Sequence, residues 1–314
     1  MGVVLICCAE ANAWGFFAHR LINRQAVFLL PPEMMRLFKP SIDYLTEQAT
    51  VPDSRRYMIP AEGPRHFIDL DHYGRPPYNH LILPWPRACE RFSEDSLQAH
   101  GIVPWWIQTM LGRLTRAFCD GNKQAILKAA AELGHYVADA HVPLHACSNH
   151  NGQKTGQQGI HGFWESRIPE LLAEAEWDFF VGKASYIMDP FTHTWKFVLE
   201  SAAAADTVLA EEARLSAIWP ANARYAWEIR NGALTRQYSR SYARRYNEIL
   251  DGMVERRLRE SIHAVASYWL TAWVNAGQPD LAPIAAQPTS EAESREFEIL
   301  SEAWKKSIIG KSCE

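Results

Sequence analysis

The chain has 314 residues, with 32 Lys+Arg against 36 Asp+Glu and a formal charge of −4. Hydrophobic residues make up 47% and charged residues 22%, a balance that excludes intrinsic disorder and leaves ample material for a core. The slight acidity excludes a basic groove as the main attraction for duplex nucleic acid, but bound metal ions could still bring a nucleic acid in as substrate.

Residues 1–13 read as a signal peptide: a short apolar run, Val3 to Cys8, leads to Ala11-Asn12-Ala13, a small-x-small cleavage site. Cleavage there would expose Trp14 as a new N-terminus and export the protein. No other run approaches the ~18 apolar residues of a membrane span, so no stable span is expected. Loss of Cys7 and Cys8 would leave Cys89, Cys119, Cys147 and Cys313, with three possible pairings and no basis in sequence for choosing one.

The rest reads as helix throughout. Phe16–Leu30 is an apolar-rich helix stopped by Pro31-Pro32, and residues 33–50 suggest a second. From Val51 to Trp85 the Pro, Gly, His and Asp content predicts a long ordered loop region, of the kind that usually carries function. Helices are expected over Trp105–Cys119, Lys123–Ala140, about His161–Glu176, and in long stretches over 190–218 and 222–276. No alternating run argues for a sheet. The expected class is all-α, one multi-helix domain over about 14–278, followed by a linker from Pro279 and a peripheral tail helix over 289–309.

The chemistry concentrates in one stretch. His135 and Asp139 are four apart, one helical turn on the same face, and Pro143 then lets His145 turn back towards them. His161 and Glu165 repeat the four-residue spacing. One such pair is commonly a surface hydrogen bond; two pairs with a further His between them have metal-ligand spacing. Upstream, His19 lies five residues after Trp14, whose free α-amino group and carbonyl could chelate, while Asp53 and His66 supply a carboxylate and an imidazole. These nine positions suit three zinc ions at about three protein ligands each, the coordination of catalytic rather than structural zinc.

At this point the sequence resembles the superfamily of zinc-dependent phospholipases C and S1/P1-type single-strand-specific nucleases. The likeness rests on Trp14, the His135-x3-Asp139-x5-His145 motif with its Pro143-Leu144, and His161-x3-Glu165, and covers residues 14 to about 170. It implies an all-α phosphodiesterase with three zinc ions in one cleft. His66, His135 and Asp139 would hold one ion, with Asp53 ligating it or orienting its water. Trp14 and His19 would hold the second, bridged by Asp139, and His145, His161 and Glu165 the third.

The substrate would be single-stranded nucleic acid or a phospholipid. The nuclease branch is favoured by the short gap from Trp14 to His19, by Arg56 as a phosphate-facing residue, and by Phe67 and Asp69 as a base site. Glu165 departs from that branch, which carries Asp there. Among the remaining residues, His72, His80, His100, His141, His150, His193 and His263 read as surface or core. The arginines from Arg240 to Arg259 read as one solvated helix face. A different class, an exported metal-binding protein without turnover, is opposed by Asp53, a carboxylate that a purely structural site has no use for.

Overall fold

A computed structural model describes residues 15–230, 233–288 and 295. The expected signal peptide, Trp14 and, apart from Arg295, the tail helix lie outside the described residues. The architecture is all-α apart from one hairpin, so the expected class holds. Helix α1 (Phe16–Val27) buries Ala18, Ile22 and Ala26 at four-residue intervals and ends three residues short of the sequence expectation. The Pro31-Pro32 pair both stops it and starts the next helix: Pro32 is the first residue of α2 (Pro32–Phe38), where proline's missing N–H costs nothing. Helices α3 (Ile42–Gln48) and α4 (Val51–Arg55) follow, the latter hidden in sequence because Pro52 reads as a breaker. Three short 3-10 turns occupy much of the expected loop region to residue 81. Then come α5 (Trp85–Phe92), α6 (Glu94–His100) and α7 (Val103–Cys119).

Helix α8 (Lys123–Asp139) is the axis of the molecule. The Asn122 side chain caps its start, accepting from the Ala125 N–H at 3.0 Å, and every residue from Ala130 to Asp139 is buried. It packs against α1, α3, α7 and α13 (Met253–Asn275), whose Trp269 donates its indole N–H to the Ala130 carbonyl at 2.8 Å. Gly134 permits the close crossing of α1 and α8, since a Cβ there would sit 2.1 Å from the Asn23 amide oxygen. That crossing fixes the heights at which His19 and His135 face one another. After a three-residue turn α9 (Ile160–Gly162) and a π-helical turn (Phe163–Arg167), α10 (Ile168–Glu176) and the long α11 (Pro190–Ile218) close the bundle.

Three expectations are corrected. Residues 225–238, expected as helix, form an antiparallel hairpin of β1 (Tyr225–Arg230) and β2 (Ala233–Tyr238) ahead of α12 (Arg240–Ile249). Asn231-Gly232 between two alternating runs was the available signal. The expected linker instead contains α14 (Leu281–Ala285), which buries Leu281 and Ile284 and packs on α2. The arginines do not form one solvated face: they divide between α12 and α13, and Arg257 is buried, donating to the carbonyls of His141 and Phe197 at 2.9 Å each. Cys89, Cys119 and Cys147 are free thiols.

Candidate metal centre

The C-terminal end of α8, the start of α1, α4, the segment after residue 60, and the α9 turn meet at one end of the bundle. His19, Asp53, His66, His135, Asp139, His145, His161 and Glu165 converge there, each no more than 4% exposed. Hydrogen bonds to backbone carbonyls orient two of the rings. His135 Nδ1 lies 2.8 Å from the Ala49 carbonyl and His145 Nδ1 lies 2.6 Å from that of His66, so each aims Nε2 into the cluster. The His19 and His135 rings stack at 3.9 Å. His66 Nδ1 lies 2.9 Å from Asp139 Oδ2 and 3.0 Å from His135 Nε2, while His19 Nε2 lies 3.2 Å from Asp139 Oδ1. Asp139 thus has one oxygen towards His19 and the other towards His66 and His135. On the far side His161 Nε2 and His145 Nε2 lie 2.9 and 3.5 Å from Glu165 Oε2. Glu165 sits in the π-helical turn, whose extra residue shifts its phase relative to an ordinary helix.

Three sets of ligand atoms, each within 4.8 Å of one another, can be drawn among the described residues: His19 with Asp53 and His135; His66 with His135 and Asp139; His145 with His161 and Glu165. The donor chemistry fits metal ions. Both nitrogens of His19 and His161, both oxygens of Asp53 and Glu165, Asp139 Oδ1 and His145 Nε2 are buried without a hydrogen-bond partner. Each such orphan costs on the order of 1–3 kcal/mol, and more when charged, so a cluster of them without a cation would be strongly destabilising. Ionisation follows the same geometry. Burial, with His135 next to it, lowers His19 to about 4, and burial with Arg56 lowers His161 to about 3, leaving both rings neutral. Burial would lower His135 too, but Asp139 and Asp53 outweigh it and raise it to about 9. Burial pushes Glu165 up to about 8. Asp139 stays well below the carboxylate range because His135 and His145 outweigh its burial.

Arg56 is half-buried and close enough to Asp53 to be held more basic despite its burial. Phe67 is half-buried, and its carbonyl accepts from the Val103 N–H at 3.2 Å. Asp69 is turned towards His100, whose Nδ1 is 3.6 Å away and whose ring stacks on His72 at 3.3 Å. Sequence reasoning set His100 and His72 aside because neither has a partner at ligand spacing. His150 was missed in the same way: its ring lies 6.2 Å from that of His161. Also unforeseen was a buried network behind His66. Arg55 donates to Glu62 at 2.9 Å, to Glu132 at 2.8 Å and to the Tyr136 hydroxyl at 3.1 Å, while Arg65 and Tyr136 both donate to Glu62. Glu62 Oε1 is 3.8 Å from His66 Nε2. Beside the cluster Gly15 presses on Ser166, where a Cβ would fall 2.2 Å from the hydroxyl oxygen, so the chain passes close to Glu165 only with glycine there.

Residues 14–275 match the family model of the S1/P1 nucleases. No curated protein matches the sequence significantly. Among solved structures that match is the alpha-toxin of Clostridium perfringens, isolated from an avian strain, at 15% identity and a TM-score of 0.49, with 87% of this chain and 67% of that one covered.

Proposed function

The chain belongs to the S1/P1 nuclease family, and from that premise we propose that this phosphoesterase is a zinc-dependent phosphodiesterase acting on single-stranded nucleic acid. The observation that carries the reading is the convergence of three ligand sets with orphaned, buried nitrogen and oxygen atoms at one end of the bundle. His66, His135 and Asp139 would hold one zinc ion; His19, with Trp14, a second sharing Asp139; His145, His161 and Glu165 a third. When bound, such ions polarise a phosphate and make water a nucleophile near neutral pH.

The side chains have distinct tasks. Asp139 offers one oxygen towards His19 and the other towards His66 and His135, so it would serve both of the first two ions. Asp53 has two unpartnered oxygens, one to ligate and one to accept the proton of the attacking water. Arg56, beside Asp53, would bind a non-bridging phosphate oxygen, which compensates its own burial. Phe67 would stack on a base and Asp69 accept from its ring edge, with His100 keeping the carboxylate in place.

A phospholipid substrate is the second reading, favoured by the exposed run Tyr57-Met58-Ile59 next to Arg56, an apolar rim suited to acyl chains. The test is hydrolysis of bis(p-nitrophenyl) phosphate together with a panel of single-stranded DNA, RNA, 3′-nucleotides and phosphatidylcholine. Preference for the single strands is expected. Turnover of phosphatidylcholine alone would establish the second reading, and bound zinc without any phosphodiester turnover would leave a metal-binding protein.

A further inference from the structure

The β1–β2 hairpin has its faces reversed relative to a ribbon lying on a protein core. On one face Glu228 pairs with Arg167, and Arg230 pairs with Glu170 at 2.6 Å, so the polar face is clamped to the body. The other face carries Trp227, Ile229 and Leu234, which are 65%, 78% and 66% exposed. Their register, Ile229 opposite Leu234 and Trp227 opposite Arg236, makes them one contiguous stripe. It begins at the base, where buried Tyr238 stacks on Phe163 at 3.9 Å, and runs out to solvent. An exposed alternation of this kind is unfavourable in water and marks a contact surface.

The charge around the stripe indicates what covers it. Of the arginines in residues 224–245, Arg224, Arg230, Arg244 and Arg245 are paired with Glu212, Glu170, Glu176 and Glu248, which leaves two unmatched cations near the stripe. Arg236, beside the stripe and over the Tyr225 ring at 4.4 Å, and Arg240, at the start of α12, have no acidic partner among the described residues. A nucleic acid would want flat rings beside the cations, but two of the three exposed side chains are aliphatic. An indole and two aliphatic groups with arginines at their border match the interface of a bilayer, hydrocarbon below and anionic headgroups above. We propose that the hairpin docks the protein on anionic lipid surfaces by inserting Trp227, Ile229 and Leu234 to interfacial depth. No helix among the described residues is long and apolar enough to cross a membrane. The proposal goes beyond the phosphodiesterase reading, because the hairpin would bind the surface whichever substrate is cleaved.

Co-sedimentation of the full chain with vesicles of phosphatidylcholine and phosphatidylglycerol, against phosphatidylcholine alone, tests it. Partitioning onto the anionic vesicles is expected, weakened by salt. It should fall at least about tenfold in Trp227→Ser/Ile229→Ser/Leu234→Ser, whose melting temperature and diester hydrolysis stay at wild-type values. Arg236→Glu/Arg240→Glu should lose only the anionic preference. Three results would overturn the proposal: no binding to anionic vesicles, equal binding by the triple serine variant, or a wild-type dimer that this variant dissolves, which would make the stripe a contact between copies. Loss of diesterase activity with vesicle binding intact would count against the catalytic reading alone.

Discussion

Asp139 and Asp53 are both fully buried carboxylates in the cluster, yet their surroundings predict different losses. Asp139 faces His19 with one oxygen and His66 and His135 with the other. Asp139→Asn should therefore release metal and cost more activity than loss of any terminal ligand, as read by zinc content and kcat together. Asp53→Asn should keep most of its zinc while kcat falls about 10²–10⁴-fold, the range for losing a general base. Equal zinc loss in both variants would contradict the division of roles. His141 gives a prediction about stability. Its ring is buried, stacks on Phe197 at 4.2 Å, and is held well below the usual imidazole range by burial and by Arg257. The folded state keeps it neutral, whereas the unfolded chain protonates it near pH 6.5. Its contribution is therefore complete above that pH and declines as pH falls below it, by up to ~1.4 kcal/mol per pH unit. Urea titrations at pH 7.5 and 5.0, with EDTA in both so that metal loss plays no part, should show a smaller drop for His141→Gln than for wild type.

Between elements, the Arg55 network ties α4 to α8 behind His66. Arg55→Ala would strand Glu62 and Glu132, and removal of one partner from a buried pair costs about 3–5 kcal/mol. Arg55 retains some exposure, so the low end is expected, seen as a lowered urea midpoint with unchanged steepness. None of this was visible in sequence, because Arg55, Glu62 and Glu132 are joined only by the fold. The long helices α1, α7, α8 and α11 were legible, since apolar periodicity and Pro or Gly punctuation are local properties. The expected helix over 33–50, by contrast, divides into α2 and α3, and the short α5 and α6 gave no signal. The hairpin was missed because its two alternating runs are only six residues each and lie between long helical stretches. The π-helical turn at Glu165 leaves no sequence signature, although the four-residue spacing from His161 did lead to that glutamate.

For the whole molecule, the cluster joins the start of α1, the end of α8, α4 and the α9 turn, so a bound metal set acts as a cross-link between distant parts of the chain. Ligands that bind only the folded state stabilise it by ~2.7 kcal/mol per site at a hundredfold excess over Kd. Chelation should accordingly lower the melting temperature, and added zinc should restore it; a melting curve indifferent to EDTA would mean that the buried orphans have another explanation. His135 with Asp139 and His161 with Glu165 were legible because a four-residue spacing puts two ligands on one helical face, whereas His19, Asp53 and His66 reach the cluster only through the fold. Asp69, His100 and His150 obey no such rule, and only the fold assigns their neighbours. The central claim is most directly tested by zinc content per chain, measured by elemental analysis of protein that begins at Trp14 and is purified without chelator. Three zinc ions per chain are expected: one for His66, His135 and Asp139, one for Trp14 and His19 with Asp139, and one for His145, His161 and Glu165. A single ion or none, in protein that still hydrolyses phosphodiesters, would contradict it.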